Sequence, residues 1–412
     1  MKRFQVLFAS ITGTALEFYD FMLYAVFADR IGNVFFPHST LSDFQAGWIT
    51  FVVAYVSRPF GATLFGHIGD KYGRKRALIL TVSCMGIPTF LIGVLPGYET
   101  IGMFAPIILI FCRLIQGLCT GGEYNGSAIF TLEHVGKSYP GFSGGLITGA
   151  SVIGALGANG VGVVITMDGM PEWSWRIAFL IGALVSLIGL YIRLYASESP
   201  AFQKMKKAHK TARSPLWSAL TKHKRSVFAA MSIGLLNGTL SYTLYKFLNL
   251  YLNTYFGLPD HETFKYTNIG IFVFIISSPL WGFILDKLGG QRMLKFSCIL
   301  SLCMAFPLYF FIQQLTPGAF VFSQMLLGIT VASIAGPEHA FIQRLFPVED
   351  RYSGVAFSFS TGMGVGAGAC PPLMKFLTES TGNYYAPALV IVGAALICYI
   401  ALKTYKGPYY DL

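Results

Sequence analysis

Charged residues are scarce in this chain of 412 residues. Asp, Glu, Lys and Arg make up 12% of it, whereas soluble domains hold about 25%. Hydrophobic residues make up 54%. Apolar stretches of about 20 residues, which are long enough to cross a bilayer, recur along the whole chain. The composition therefore excludes an ordinary soluble domain and predicts a membrane protein with several spans.

Clusters of metal-ligating or nucleotide-binding residues are lacking as well. The seven cysteines are scattered within the apolar stretches without a C-x-x-C pair, which favours packing residues over disulfides or metal ligands. The seven histidines are dispersed and lie mostly near the ends of apolar stretches. Gly136-Lys137-Ser138 is similar to the end of a P-loop, but position 131 is threonine and no strand precedes it. We expect no enzymatic activity, no metal and no cofactor.

The apolar stretches predict twelve spans. They fall near residues 4–28, 46–66, 77–95, 104–127, 142–166, 176–196, 226–251, 266–285, 294–313, 318–342, 352–376 and 384–404. An even number of spans places both termini on one side of the membrane. Most Lys and Arg residues then lie on the side of the termini, which the positive-inside rule assigns to the cytoplasm. The net charge of +11 is therefore a topology signal and does not indicate a nucleic-acid partner.

The chain is predicted to consist of two similar halves. An N-terminal six-helix bundle would cover residues 1–196, a basic cytoplasmic linker residues 197–225, and a C-terminal six-helix bundle residues 226–412. The same residue types recur at the same spacing after spans two and eight: Gly66, Asp70, Gly73 and Arg76 match Gly282, Asp286, Gly289 and Arg292. Two bundles related by such a repeat are typical of a transporter whose binding site lies between the halves near the midplane.

Two carboxylates interrupt the first span. Glu17 and Asp20 are three residues apart, so both lie on one face of a helix. Because an ionised acid at bilayer depth costs roughly 2.5–3.5 kcal/mol, we expect both to face partners or a water-filled cavity. The alternative is a buried ion pair that only fixes helix packing. The other charged residues that we assign to spans are Glu123, Glu338, Arg58, Arg113 and Lys246.

Asp20 and Arg113 are expected at matched depth, since counting 1.5 Å per residue places both near the middle of their helices. Arg113 stays charged at physiological pH and can pair with Asp20 or Glu17. A substrate carboxylate that competes for Arg113 would make the displaced acid easier to protonate. This predicts proton coupling at Asp20 with Glu17 beside it, at Glu123 and at Glu338. A purely structural role remains the alternative for Arg113 and for Glu338.

The candidate substrate-binding residues are the polar and aromatic residues of these spans: Glu17, Asp20, Tyr24, Arg58, Arg113, Gln116, Tyr242 and Lys246. Arg58 and Arg113 could hold a carboxylate by bidentate hydrogen bonds. An aromatic wall would suit a quaternary ammonium group through cation–π contacts. Structural hydrogen bonding of Gln116, snorkelling of Lys246 to the surface and ordinary packing of the tyrosines are the alternatives.

The repeated loops predict a gate. Asp70, Arg74 and Arg76, with Asp286 and Arg292 in the second half, could form contacts with basic residues and helix N-termini that keep the inner side closed. Helix capping combined with the positive-inside charge pattern is the alternative.

Several motifs carry a family resemblance. The G-x-x-x-D-x-x-G-R-K-R loop at 66–76 resembles the signature loop of the major facilitator superfamily, and R-x-x-Q-G at 113–117 resembles a motif of its fourth helix. More narrowly, the motifs at Glu17–Phe21, Arg58–Gly61, Gly121–Glu123, Trp175–Leu180, Glu198–Phe202 and Phe346–Gly354 resemble the metabolite:proton symporter branch. That branch includes proline/betaine, α-ketoglutarate, shikimate and citrate transporters.

The resemblance implies an all-α membrane protein with twelve transmembrane helices in two bundles. It implies proton-coupled symport of a small carboxylate-bearing metabolite or zwitterion by alternating access, in the inner membrane, by a monomer in contact with lipid. An uncoupled facilitator, an exporter, or a receptor or channel that accumulates no solute remain alternatives. Two features depart from the branch: Arg344 stands where an acid is frequent, and the long coiled-coil tail of some proline/betaine members has no counterpart.

Overall fold

The structure is a computed structural model that describes residues 3–36, 43–136, 138–165, 170–208 and 214–411. Within these ranges the chain forms helices and no strands, as predicted. Twelve long helices occur there, and we number them in chain order: α1 Arg3–Val26, α2 Asp43–Tyr72, α3 Arg74–Val94, α4 Phe104–Val135, α5 Pro140–Ile165, α6 Trp175–Leu194, α7 Lys224–Phe256, α8 Asp260–Leu288, α9 Gly290–Ile312, α10 Pro317–Ile342, α11 Arg351–Thr381 and α12 Ala386–Thr404.

Nine of these helices in the described ranges, α3 to α10 and α12, are long and apolar enough to cross a membrane. Helices α1, α2 and α11 are at least as long as α12 but more polar. Short helices at Ala28–Phe35, Tyr98–Ile101, Glu172–Ser174, Pro200–Lys207, Pro215–Lys222 and Gln343–Leu345 lie between the long ones. The twelve long helices correspond one by one to the twelve predicted spans.

The chain forms two compact units. The first contains Met1–His134 and Ala150–Leu216, and the second contains Val135–Gly149 and Trp217–Leu412. The first unit ends inside the predicted linker. Helix α5 contributes its first ten residues to the second unit and the remainder to the first.

The first unit packs α3 and α1 against α6, and α2 against α3. Its core is strongly aromatic, with Tyr24, Phe27, Phe35, Trp175 and Phe179 all buried. Helix α4 approaches α2 closely through glycines: a Cβ on Gly117 or Gly121 would lie 2.1 Å from a carbonyl oxygen of α2. This packing brings the polar residues of α1, α3 and α4 together inside the unit.

The second unit packs α7 against α11 and α8 against α10, while α9 contacts α10 and α12. The contact between α7 and α11 is a seam of glycines on both helices, Gly234 and Gly238 with Gly362 and Gly366. At each of them an added Cβ would lie 1.9–2.5 Å from a backbone oxygen of the other helix. Small residues at such a seam let two backbones approach closely in a membrane.

Replacing Gly362 by alanine is expected to destabilise the protein. The new Cβ would lie 1.9 Å from the Met231 carbonyl oxygen, and overpacking of this kind costs about 1–3 kcal/mol. Gly364→Ala is the matched control, since a Cβ there meets nothing within 4 Å and alanine favours the helix by roughly 0.5–1 kcal/mol. Thermal melting in detergent should show a lower midpoint for Gly362→Ala only. Equal midpoints for the two variants would contradict the close packing of α7 against α11 at Gly362.

Candidate transport site

The Asp20 carboxylate is fully buried inside the first unit. The Ser186 hydroxyl of α6 donates a hydrogen bond to Asp20 Oδ2 at 2.6 Å, and Thr89 Oγ1 of α3 lies 3.4 Å from the same oxygen. Gly182 makes room for the acid, because a Cβ there would lie 2.2 Å from Asp20 Oδ1. The carboxylate is therefore enclosed by α3 and α6 and accepts one strong hydrogen bond.

Arg113 is buried on α4 and is linked to Asp20 through two side chains. Its Nη1 donates to Gln116 Oε1 at 2.9 Å, and Gln116 Nε2 donates to Thr89 Oγ1 at 2.9 Å. Thr89 Oγ1 lies 3.1 Å from Met85 O and 3.4 Å from Asp20 Oδ2, and its hydroxyl group has one hydrogen to donate. Because one hydrogen serves two acceptors, Thr89 can turn toward either of them. We call this chain from Asp20 to Arg113 the relay.

Aromatic rings cover both buried arginines of α2 and α4. The Arg113 Cζ atom lies 3.9 Å from the centre of the Tyr24 ring, and the Tyr24 hydroxyl contacts the Thr50 hydroxyl. The Arg58 Cζ atom lies 4.1 Å from the centre of the Tyr55 ring. Cation–π contacts of this kind are stronger where water is excluded. The Tyr24 ring therefore packs against the Arg113 guanidinium.

A second buried acid–base cluster joins α3, α4 and α6. Glu123 forms an ion pair with Arg193, and the Thr81 hydroxyl donates to the other Glu123 oxygen. Glu17 is buried on α1, and one turn earlier in that helix a Cβ on Gly13 would lie 2.9 Å from Arg193 Nη2. Among the described residues, neither Glu17 carboxylate oxygen has a hydrogen-bond partner. Glu17 and Asp20 share one helix but belong to different clusters.

The assignment of charged residues to spans was incomplete, because it omitted Arg193. This arginine lies in the last turn of α6 and is buried. From sequence alone, a basic residue at the end of an apolar stretch is assigned to the adjacent basic loop. The signal that could have identified it is Glu123, whose burial requires a counter-charge.

Arg74 occupies a buried site at the start of α3. Its Nη1 lies 3.3 Å from Asp70 Oδ1, its Nε lies 3.3 Å from Glu133 Oε2, and Nη1 donates to Gly69 O at 2.9 Å. The Ser199 hydroxyl donates to Glu133, which joins the start of the helix Pro200–Lys207 to the cluster. Arg76, which we also assigned to the gate, is exposed.

Asp286 forms a different contact from its repeat mate Asp70. Its two carboxylate oxygens accept hydrogen bonds from the backbone N–H groups of Gly141 at 2.7 Å and Phe142 at 2.9 Å, at the N-terminus of α5. Arg74 follows Asp70 in the first loop, and the equivalent position in the second loop is Gly290. Without that arginine, Asp286 is available for the positive end of a helix. Arg292 is exposed.

In the second unit, Glu338 is buried on α10. Asn237 Nδ2 donates to Glu338 Oε2 at 2.7 Å, and the Ser241 hydroxyl donates to Asn237 Oδ1 at 2.8 Å. His339 Nε2 lies 4.0 Å from Glu338 Oε1. His339 is buried near the end of α10, within the predicted span 318–342.

Helix α10 continues past Pro337 because another helix satisfies the orphaned carbonyl. Proline has no N–H, so the Ser333 carbonyl loses its usual partner. The Ser297 hydroxyl of α9 donates to Ser333 O at 2.6 Å instead. Glu338 and His339 therefore lie within α10, which continues to Ile342.

Helix α7 contains a local change of helix type, which Tyr242 precedes and which includes Lys246. Residues Thr243–Phe247 form a π-helical turn, a feature that is frequent at functional sites. Tyr242 is buried with its ring centre 6.3 Å from that of Tyr245, and Lys246 is exposed. Neither residue is part of the relay.

The fold and these buried ionisable clusters define a membrane transporter of many spans. The Major Facilitator Superfamily matches residues 7–337 of the chain. The inner membrane metabolite transport protein YhjE of Escherichia coli is 35% identical, covering 97% of this chain and 93% of the relative. The proline/betaine transporter of Escherichia coli is 32% identical, covering 97% and 82%. This chain belongs to the Major Facilitator Superfamily.

Solved structures agree with this fold. The MFS proton:xylose symporter XylE superposes with a TM-score of 0.76 at 16% identity, covering 97% of this chain and 95% of that chain. The predicted fold class, twelve transmembrane helices in two bundles, is confirmed. The resemblance to proline/betaine and metabolite transporters is confirmed as well.

Proposed function

We propose that this protein is a proton-coupled symporter of a small metabolite that bears a carboxylate, or of a zwitterion, in the inner membrane. The relay supports the proposal most strongly, because it connects a buried acid to a buried cation through polar side chains. Two relatives, a metabolite transport protein and a proline/betaine transporter, have names that suit the same substrate class. We infer that both termini lie in the cytoplasm.

The coupling follows from the chemistry of the relay. A substrate carboxylate that binds Arg113 would neutralise the positive charge of its guanidinium and draw that group away from Gln116. Gln116 and Thr89 can then reorient, with the Thr89 hydroxyl turning from Asp20 Oδ2 to Met85 O, which removes a hydrogen bond that favours the ionised acid. Because a positive charge favours the ionised form of a neighbouring acid, neutralising it favours proton binding at Asp20. Substrate and proton therefore bind together.

Three further acids have secondary roles in this proposal. Glu17 and Glu123 would share the charge of Arg193 and Arg58, so that a proton can pass between Glu17 and its neighbours. Glu338, held by Asn237, would be a second proton site in the other unit. Tyr242 and Lys246 would contact substrate from α7.

Asp286 would act in a gate. Its two hydrogen bonds and the close approach of Gly141 to Gly282 hold the N-terminal half of α5 against α8. Releasing them frees that half of α5, while the buried Arg74 cluster keeps the matching loop of the first unit rigid. Arg76 and Arg292, both exposed, would contribute charge at the same end.

Uptake by proteoliposomes tests the proposal. Labelled proline, glycine betaine, α-ketoglutarate and shikimate are each offered with an alkaline interior. We expect at least one to accumulate above its external concentration, and a protonophore to abolish the accumulation. Equilibration without accumulation would instead indicate an uncoupled facilitator, and transport of none of the four would contradict the substrate class.

A further inference from the structure

A large open cavity lies at one end of the second unit, and no residue of the relay lines it. Its volume is about 860 Å³, and it lies between the start of α7 and the end of α12. Lys224 and Arg225 line it from α7, and Lys403 and Lys406 line it from the end of α12 and the residues beyond. Four cations therefore surround one cavity.

No acidic residue in the described part of the chain pairs with these cations. Within the described ranges, none of the four joins an ion pair. All four side chains are exposed. Like charges brought this close repel one another, and an external anion would relieve the repulsion. A ligand with a phosphate group suits such a set of ammonium and guanidinium donors.

The cavity is apolar where it continues along the helices. Phe228 lies one turn after Lys224, and Ile400 lies one turn before Lys403, so each apolar side chain shares a face with a cation. Phe228 is 53% exposed and Ile400 is 55% exposed. Both belong to helices that are long and apolar enough to cross a membrane. The site thus offers charge at the membrane edge and an apolar surface at acyl-chain depth.

One wall of the cavity is fixed by hydrogen bonds. Tyr405 is buried, and its hydroxyl donates to Pro408 O at 2.8 Å and accepts from Ser226, whose Oγ is 3.3 Å away. Gln291 Nε2 donates to Leu402 O at 2.7 Å. These bonds anchor the end of α12 to α7 and α9, so Lys403 and Lys406 project from an ordered backbone.

We propose that this cavity binds the headgroup of an anionic phospholipid. The lipid phosphate would contact Lys224, Arg225, Lys403 and Lys406, and its acyl chains would lie along Phe228 and Ile400. Free inorganic phosphate offers the same charge, but it would leave the apolar part of the site uncovered. The charge pattern of the sequence assigns this end of the helices to the cytoplasmic leaflet, where basic residues near the membrane attract anionic lipid.

Native mass spectrometry of the full chain in detergent, with phosphatidylglycerol or phosphatidylcholine of identical acyl chains, tests the proposal. The variant K224Q/K403Q/K406Q should bind phosphatidylglycerol at least about tenfold more weakly than the unaltered protein. The matched control is K204Q/K206Q/K207Q, which removes three exposed lysines from the helix Pro200–Lys207 of the first unit. The control should bind phosphatidylglycerol as the unaltered protein does, and phosphatidylcholine should bind weakly to all three.

Equal phosphatidylglycerol binding by both triple variants would overturn the proposal. Displacement of the lipid by inorganic phosphate at matched concentration would overturn it too, since the site would then be one for a free anion. Lys403→Glu and Lys403→Arg provide a second test that disturbs folding less. Weaker lipid binding by the glutamate variant alone supports the site, and equal binding by the two contradicts it.

Discussion

Asp20→Asn is expected to abolish proton-driven accumulation while retaining exchange of substrate across the membrane. Asparagine has the size of aspartate and can keep the contact with Ser186, but it cannot bind and release a proton. Transport that no longer carries a proton gains no energy from the gradient. In proteoliposomes, we expect uptake to stop at the external concentration, and exchange of labelled for unlabelled substrate to continue.

The matched control is Glu172→Gln, which removes an exposed carboxylate from the same unit. It should accumulate substrate as the unaltered protein does. Full accumulation by Asp20→Asn would contradict the assignment of the coupling acid. Loss of exchange as well as accumulation would show that Asp20 serves substrate binding or folding instead.

Arg113→Lys is expected to weaken substrate binding by about 10–100-fold, because hydrogen bonds to charged groups contribute about 1.5–3 kcal/mol. Lysine keeps the positive charge but loses the planar fork that holds a carboxylate with two hydrogen bonds. It also cannot reproduce both the bond to Gln116 and the stacking on Tyr24. The KM of uptake and the affinity for substrate measure the effect.

Arg30→Lys is the control for this change, since Arg30 is exposed in the first unit. A purely structural Arg113 would give a different result: the melting temperature of Arg113→Lys would fall while its substrate affinity stayed near that of the control. That outcome would remove Arg113 from the substrate site.

From the sequence, Asp20, Gln116 and Arg113 of the relay are predicted as candidates, but Thr89 is not, nor is Ser186 beside Asp20. An acid or an arginine in an apolar span is visible because it is costly there, and counting residues gave the depth of Asp20 and Arg113. Thr89 and Ser186 give no such signal, since a hydroxyl can bond to the backbone of its own helix. Which hydroxyl contacts Asp20 depends on how α1, α3 and α6 are oriented about their axes, and the sequence alone does not predict that orientation.

The repeated loops show a second limit of sequence reasoning. Equal spacing of Asp70 and Asp286 predicted equal roles, yet one lies beside Arg74 and the other binds the N-terminus of α5. The difference depends on Gly290, which stands where the first half has Arg74. Similarly, the sequence does not show which group bonds to the Ser333 carbonyl that Pro337 leaves without an N–H partner, since the donor is Ser297 on another helix.

Proton uptake on substrate binding tests the relay most directly. The purified protein is placed in weakly buffered detergent solution with a pH indicator, and the substrate identified by uptake is added. The account predicts that the unaltered protein takes up protons from the solution when substrate binds, and that Asp20→Asn takes up none. Substrate binding without proton uptake, or the same uptake by Asp20→Asn, would contradict the link between Arg113 and Asp20.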